Sequence, residues 1–252
     1  MIPRPPRAIT FDCWSTLISD IDWGATVVGR RDALLRIAAG HGVHLDPEKA
    51  MELIEGSWRE HVAAWRRGEG YGPKAAARWV LDQIAAEAGD SPAHIDDELA
   101  DQIAEGIGSA TSEVGTNVVP GAPEVLEQIR QAGIPTALIC DTGFTPGARV
   151  REFLEGHSIR LDHYFFSDEF GVPKPLRPIF DAALEATGAE AASAVHIGDL
   201  RRTDVAGARG AGMATIRFAG VHDDGWEIEE STGEEADAVI RSWAELPALV
   251  GI

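Results

Sequence analysis

The stretch RAITFDCWST, residues 7–16, decides how the rest of the chain is read. Apolar residues run together up to Phe11, an acid follows at Asp12, and Cys13 to Thr16 form a polar turn. A short run that is apolar on both faces reads as a strand buried on both sides, as in a parallel sheet covered by helices. No second strand follows. From about Ile21 to Thr116 apolar residues recur at spacings of three and four: Ala33, Leu34, Ile37, Ala38; then Met51, Leu53, Ile54, Trp58, Val62, Trp65; then Trp79, Val80, Ile84; then Leu99, Ile103, Ile107. That period predicts about four helices. His41-Gly42 and Gly68 to Pro73 break the run, and Asp46-Pro47-Glu48 reads as a helix start.

Beyond Pro120 the pattern changes. Helices are predicted over residues 124–132, 147–155, 178–186 and 204–210, with a last one around 243–250. Strands are predicted over 134–140, 163–167, 194–197, 214–218 and, more weakly, 236–240. Such alternation implies an α/β fold with a doubly wound parallel sheet. The helical block therefore interrupts an α/β domain directly after its first strand. The expected domains are a core of residues 1–19 plus 117–252 and an inserted all-helical domain of residues 20–116. Clefts between such units are favoured ligand sites.

Composition narrows the function classes. A formal net charge of −19 repels phosphate backbones, so neither nucleic acid nor an anionic membrane is an expected partner. No apolar run approaches the ~20 residues of a membrane helix. The N-terminal MIPRPPR has no apolar segment behind it, unlike a secretory signal. Cys13 and Cys140 are too few for a disulfide framework and lack metal-ligand spacing, which suits a reducing cytoplasm.

In a parallel sheet, ligands bind beyond the carboxyl ends of the strands. There the sequence places Asp12, then Cys140-Asp141-Thr142, then Lys174 in GVPKP, then Asp199 and Asp204. Asp12, Asp199 and Asp204 would repel one another in a cleft of low dielectric, and a bound Mg²⁺ relieves that repulsion. Lys174 adds a second cation that holds Asp12 ionised. A carboxylate held in this way can attack phosphorus or carbon and form a covalent intermediate. Each residue also has a plainer reading. Asp199 has a rival reading as a helix cap, Asp204 suits an N-cap equally well, Thr142 suits a turn, and Cys140 suits a small buried apolar group.

Four segments together resemble the haloacid dehalogenase superfamily: FDCWSTL (11–17), ALICDTG (137–143), VPKPLRPIF (172–180) and HIGDLRRTD (196–204). They occur in that family's order, and the helical block sits where one of its groups inserts a helical cap. The resemblance implies a Rossmann-like core with Asp12 as nucleophile and Lys174 and Asp204 as catalytic partners. It implies Mg²⁺ on Asp12, Asp199 and the backbone carbonyl of Trp14, and an anionic small-molecule substrate near Trp14, Cys140, Asp141 and Thr142. Ser57-Trp58-Arg59 resembles a dehalogenase cap segment, which makes Arg59 a candidate anion receptor.

Two positions depart from the phosphatase pattern. Trp14 stands where phosphatases of the superfamily carry an Asp that protonates the leaving oxygen, and indole cannot act as an acid at any useful pH. Cys140 stands where Ser or Thr is usual. Asp199 points the other way, because related dehalogenases lack that acid and work without metal. The expected function is thus a Mg²⁺-dependent phosphatase of a small phosphorylated metabolite. The alternatives are a metal-free 2-haloacid dehalogenase and a catalytically weakened or regulatory relative.

Overall fold

The structure is a computed structural model of the chain and describes residues 1–88, 97–223 and 233–252. Residues 89–96 of the expected insertion and 224–232 of the expected core lie outside the described residues. In chain order the elements are β1 (Ala8–Phe11), β2 (Ile18–Asp20), α1 (Trp23–Gly40), α2 (Pro47–Arg66), α3 (Pro73–Ala88), α4 (Asp97–Val114) and β3 (Thr116–Val118). Then come α5 (Ala122–Gln131), β4 (Thr136–Cys140), α6 (Gly147–Gly156), β5 (His163–Phe166), the single turn α7 (Ser167–Phe170) and α8 (Arg177–Thr187). The chain ends with β6 (Ala194–Gly198), α9 (Ala206–Ala211), β7 (Ala214–Phe218), β8 (Ala238–Ile240) and α10 (Leu246–Val250).

The main sheet has six strands in the order β5-β4-β1-β6-β7-β8, and all neighbours pair parallel. β4 and β5 build outward from one side of β1, and the chain then crosses to build β6, β7 and β8 on the other. The strand order reverses at β1, so its carboxyl end faces the crevice where sheets of this kind take ligands. Side chains alternate across the sheet. Ala8 faces a cluster that includes Ala137, Ile179, Phe180, Ala194 and Ala208. Phe11, of opposite parity, meets Trp243, which in turn stacks on Phe218 with ring centroids 4.7 Å apart. Helices on both faces explain why residues Ala8 to Phe11 are all fully buried.

By its internal contacts the chain divides into two compact units. One comprises Met1–Ser19, Asn117–Asp141 and Arg151–Ile252; the other comprises Asp20–Thr116 and Thr142–Val150. The second unit is built on α1 to α4. The helix start expected at Asp46 is present, with Asp46 Oδ1 accepting the Lys49 N–H at 2.7 Å and Pro47 in the first turn, and Asp22 Oδ1 caps α1 in the same way by accepting the Ala25 N–H at 2.9 Å. Leu34, Leu53, Ile54, Val80, Leu81, Ile103 and Ile107 fill its core. Residues Thr142–Val150, expected with the sheet, group with these helices because Phe144 is buried in the helical core and Arg149 Nε donates to Glu105 at 2.7 Å. Two short strands flank the helical block and are not among the expected elements. β2 and β3 pair with each other as a separate two-stranded sheet; each is only three residues long, below what periodicity detects.

Candidate active site

Asp12 lies one residue beyond β1 yet stays in the ladder, its N–H donating to the Ile197 carbonyl at 2.8 Å. The chain then doubles back tightly. The Cys13 carbonyl accepts the N–H groups of Leu17 at 2.8 Å and Ile18 at 3.1 Å, and Ser15 is left-handed with φ +58°. A non-glycine residue in that region costs on the order of 1 kcal/mol. The turn swings Thr16 back over the carboxylate, where its hydroxyl donates to Asp12 Oδ2 at 3.2 Å.

Three other strand ends converge on the same point. The Lys174 ammonium donates to Asp12 Oδ1 at 2.5 Å and to Asp204 Oδ1 at 2.7 Å. The backbone of Lys174 is pinned as well, its N–H donating to Asp141 Oδ1 at 2.9 Å. Asp199 follows β6, and one ligand oxygen from each of Asp12, Asp199 and Asp204 lies within 4.8 Å of the others. Asp204 sits inside a π-helical turn over Arg201–Val205 rather than capping α9, since its Oδ2 reaches back to accept the Leu200 N–H at 2.9 Å. Glycine is needed at 198: a Cβ there would come within 2.7 Å of Asp204 Oδ1.

All four charged groups are buried, with Asp12 and Asp199 each 5% exposed, Lys174 3% and Asp204 1%. Three carboxylates against one ammonium leave a formal charge of about −2 in a medium that solvates charge poorly. Protonation follows from this. Burial, reinforced by the Asp204 charge, outweighs Lys174 and pushes Asp12 up to about 7. Burial and the charges of Asp12 and Asp204 push Asp199 well above the usual carboxylate range. Asp204 moves the other way: burial opposes ionisation, but Lys174 and His196 hold it below the ordinary value. Lys174 stays charged, because Asp12, Asp204 and Asp141 override its own burial. Lys174 by itself does not offset the burial of Asp12, which leaves room for the second cation expected beside it. A divalent cation fits the set, since its charge would balance the site and its preferred ligands are carboxylate oxygens.

The remaining candidates divide. Trp14 is half-buried and forms an isolated bridge with Ile18. Cys140 is fully buried at the end of β4, and burial followed by Cys13 raises its thiol well above the ordinary value, so it is a neutral small group. Thr142 is a buried residue of the helical unit, and Arg59 is an exposed residue of α2. The segment around Arg59 packs the helical unit internally: Ser57 Oγ lies 3.1 Å from the Tyr71 hydroxyl, and Trp58 meets Trp23 and Phe144. That unit's buried arginine is Arg30, whose guanidinium lies over the rings of Trp23 and Phe144.

Sequence reasoning assigned no role to Thr10, Thr16 or His196. His196 Nε2 lies 3.1 Å from Asp204 Oδ1, and its Nδ1 lies 2.8 Å from Thr10 Oγ1. The available signal was a histidine and a threonine inside strands that are otherwise apolar.

Comparison with known proteins identifies the family. A family model described as haloacid dehalogenase-like hydrolase matches residues 6–212. The glyceraldehyde 3-phosphate phosphatase of Pyrococcus furiosus is 32% identical over 138 residues, 53% of each chain, so the match spans about half of that relative. Haloacid dehalogenase-like hydrolase domain-containing protein 3 of Bos taurus is 26% identical over 222 residues, 81% of this chain and 85% of the relative. Among solved structures, a 2-haloacid dehalogenase from Pseudomonas syringae superposes with a TM-score of 0.68 at 22% identity, over 99% of this chain and 98% of that one, which is a likeness of fold.

Proposed function

The chain belongs to the haloacid dehalogenase-like hydrolases, and from that premise we propose that it is a Mg²⁺-dependent phosphatase of a small phosphorylated substrate, with Asp12 as nucleophile. The observation that carries this reading is Asp199, buried beside Asp12 and Asp204 with one cation among them. An uncompensated negative site would repel any anionic substrate, a 2-haloacid included. Asp12, Asp199 and the Trp14 carbonyl would hold Mg²⁺; when bound, it supplies positive charge against the phosphoryl oxygens. The phosphatase name of the Pyrococcus relative supports the same choice. The two free cysteines suit a reducing, cytoplasmic setting.

The chain's own residues then divide the work. Asp12 attacks phosphorus, the bond to the leaving oxygen breaks, and an aspartyl phosphate forms; water later releases phosphate and restores the carboxylate. Lys174 stays protonated and faces the reacting carboxylate, so it stabilises charge on the transferring group without moving a proton. Thr16 and Lys174 fix the plane of the Asp12 carboxylate from its two oxygens. Asp141 holds Lys174 in place through its backbone. Trp14 brings no proton to the leaving oxygen, so acidic leaving groups depart fastest. The helical unit, inserted after β1, acts as the cap that selects the substrate.

The test is phosphate release from 4-nitrophenyl phosphate. Turnover should be abolished by EDTA and by Asp12→Asn; silence on every phosphate ester would remove the reading. Trp14 favours one second reading, a 2-haloacid dehalogenase, because halide leaves without a proton. Halide release from 2-chloropropionate that survives EDTA would establish it.

A further inference from the structure

We infer that His196, seated on Thr10, is a positioning residue that acts through Asp204 to hold the Lys174 ammonium against Asp12. The inference rests on the nucleophilic role proposed for Asp12. Thr10 of β1 and His196 of β6 are paired neighbours in the sheet, flanked by Ala137 on one side and Thr215 on the other. Thr10 and His196 are 0% and 1% exposed. Apolar side chains including Ala8, Ala137 and Ala194 share that face, and Phe180 presents its ring to the imidazole edge-on at 5.2 Å. Burying an imidazole and a hydroxyl there costs free energy unless both are hydrogen-bonded.

Both are, in a continuous chain: Thr10 Oγ1 to His196 Nδ1 at 2.8 Å, His196 Nε2 to Asp204 Oδ1 at 3.1 Å, and Asp204 Oδ1 to Lys174 Nζ at 2.7 Å. Lys174 Nζ then reaches Asp12 Oδ1 at 2.5 Å. Asp204 as a carboxylate only accepts, so His196 Nε2 carries the proton facing it. His196 Nδ1 then accepts the Thr10 hydroxyl, and one neutral tautomer satisfies every partner. Asp204 thus receives three donors: Leu200 N–H on Oδ2, and His196 and Lys174 on Oδ1. With His196 removed, only the Leu200 N–H and Lys174 itself would orient the carboxylate. Lys174 would then set Asp204 rather than Asp204 setting Lys174.

The experiment uses the full chain with Mg²⁺ and 4-nitrophenyl phosphate. His196→Leu should lower kcat roughly 10- to 100-fold with little change in KM, as loss of an outer partner of a site residue does. His196→Gln, which can offer an N–H at the same reach, should recover most of that loss; Thr10→Val, which frees the tautomer, should show part of it. In an Asp204→Asn background the His196→Leu change should have no further effect, because the route through Asp204 is already cut. Should His196→Leu fail to fold, the Gln and Val variants and ¹⁵N NMR of the wild-type imidazole still decide, the expected signature being the Nε2–H tautomer. An unchanged kcat in His196→Leu, losses that simply add with Asp204→Asn, no rescue by Gln, or an Nδ1–H tautomer would each overturn the inference. A wild type silent on all phosphate esters would instead sink the phosphatase reading, and the tautomer alone would then judge the His196–Asp204 contact.

Discussion

Metal affinity should depend on pH through Asp12, and the size of the effect follows from its environment. Burial and the Asp204 charge raise the Asp12 carboxyl from 3.8 to about 7 in the metal-free site. A metal binds the ionised carboxylate, so the proton competes with it. About one molecule in eleven is ionised at pH 6 and about ten in eleven at pH 8, so the apparent Mg²⁺ affinity should rise ~10-fold, or ~1.4 kcal/mol, between them. Asp199, raised in the same direction, can only steepen the dependence. The same shift bears on stability. A carboxyl raised on folding makes the folded state bind more protons than the unfolded chain, so the Asp12 contribution to metal-free stability falls as pH climbs from about 4 to about 7 and levels off above, with Asp199 adding a fall of the same sign. Isothermal titration of Mg²⁺ into EDTA-stripped protein at pH 6, 7 and 8 measures the first effect, and thermal melts of the same samples measure the second. Affinity that is flat across this range would refute the reasoning, because an Asp12 near its ordinary value would be fully ionised throughout.

Trp14→Asp supplies the missing proton donor and should speed hydrolysis of an unactivated alkyl phosphate, by ~10²-fold or more; a folded variant with an unchanged or lower rate would contradict it. Gly198→Ala would put a methyl within 2.7 Å of Asp204 Oδ1. The carboxylate must move off Lys174, and kcat should drop roughly 10²-fold; wild-type kinetics would show that Asp204 has room to spare. Gly207→Ala would drive a methyl into the Phe180 ring, 2.5 Å from Cε2, and to 3.0 Å from Pro175 Cα. Overpacking of this kind should destabilise the fold by about 1–3 kcal/mol, read from urea midpoints, and an unshifted midpoint would count against it.

Much of this is legible in the sequence. Asp46-Pro47 marks a helix start by chemistry that does not depend on tertiary context, and the apolar stripes from Leu34 to Ile107 announce helices with one buried face. Acids at successive strand ends pointed to the candidate site, because the carboxyl ends of parallel strands lie along one edge of the sheet. What stayed hidden depended on partners far apart in sequence. β2 and β3 are three residues each and exist through pairing with one another. Thr142–Val150 reads as the start of an ordinary crossover, yet Phe144 is claimed by the helical core. Asp204 reads as a cap beside Val205; its carboxylate instead turns back to Leu200, Lys174 and His196, because the absent side chain of Gly198 leaves the space. His196 looked like one polar residue in an apolar strand, and only the register with Thr10 gives it a task.

The nucleophilic role of Asp12 has a direct test. Protein with Mg²⁺ is mixed with a limiting amount of a ³²P-labelled aryl phosphate, quenched in acid within a single turnover, and digested for peptide mapping. The expected result is acid-stable, hydroxylamine-labile label on the peptide that carries Asp12, absent in Asp12→Asn. Phosphate release at full rate with no label on that peptide, or undiminished turnover by Asp12→Asn, would contradict it.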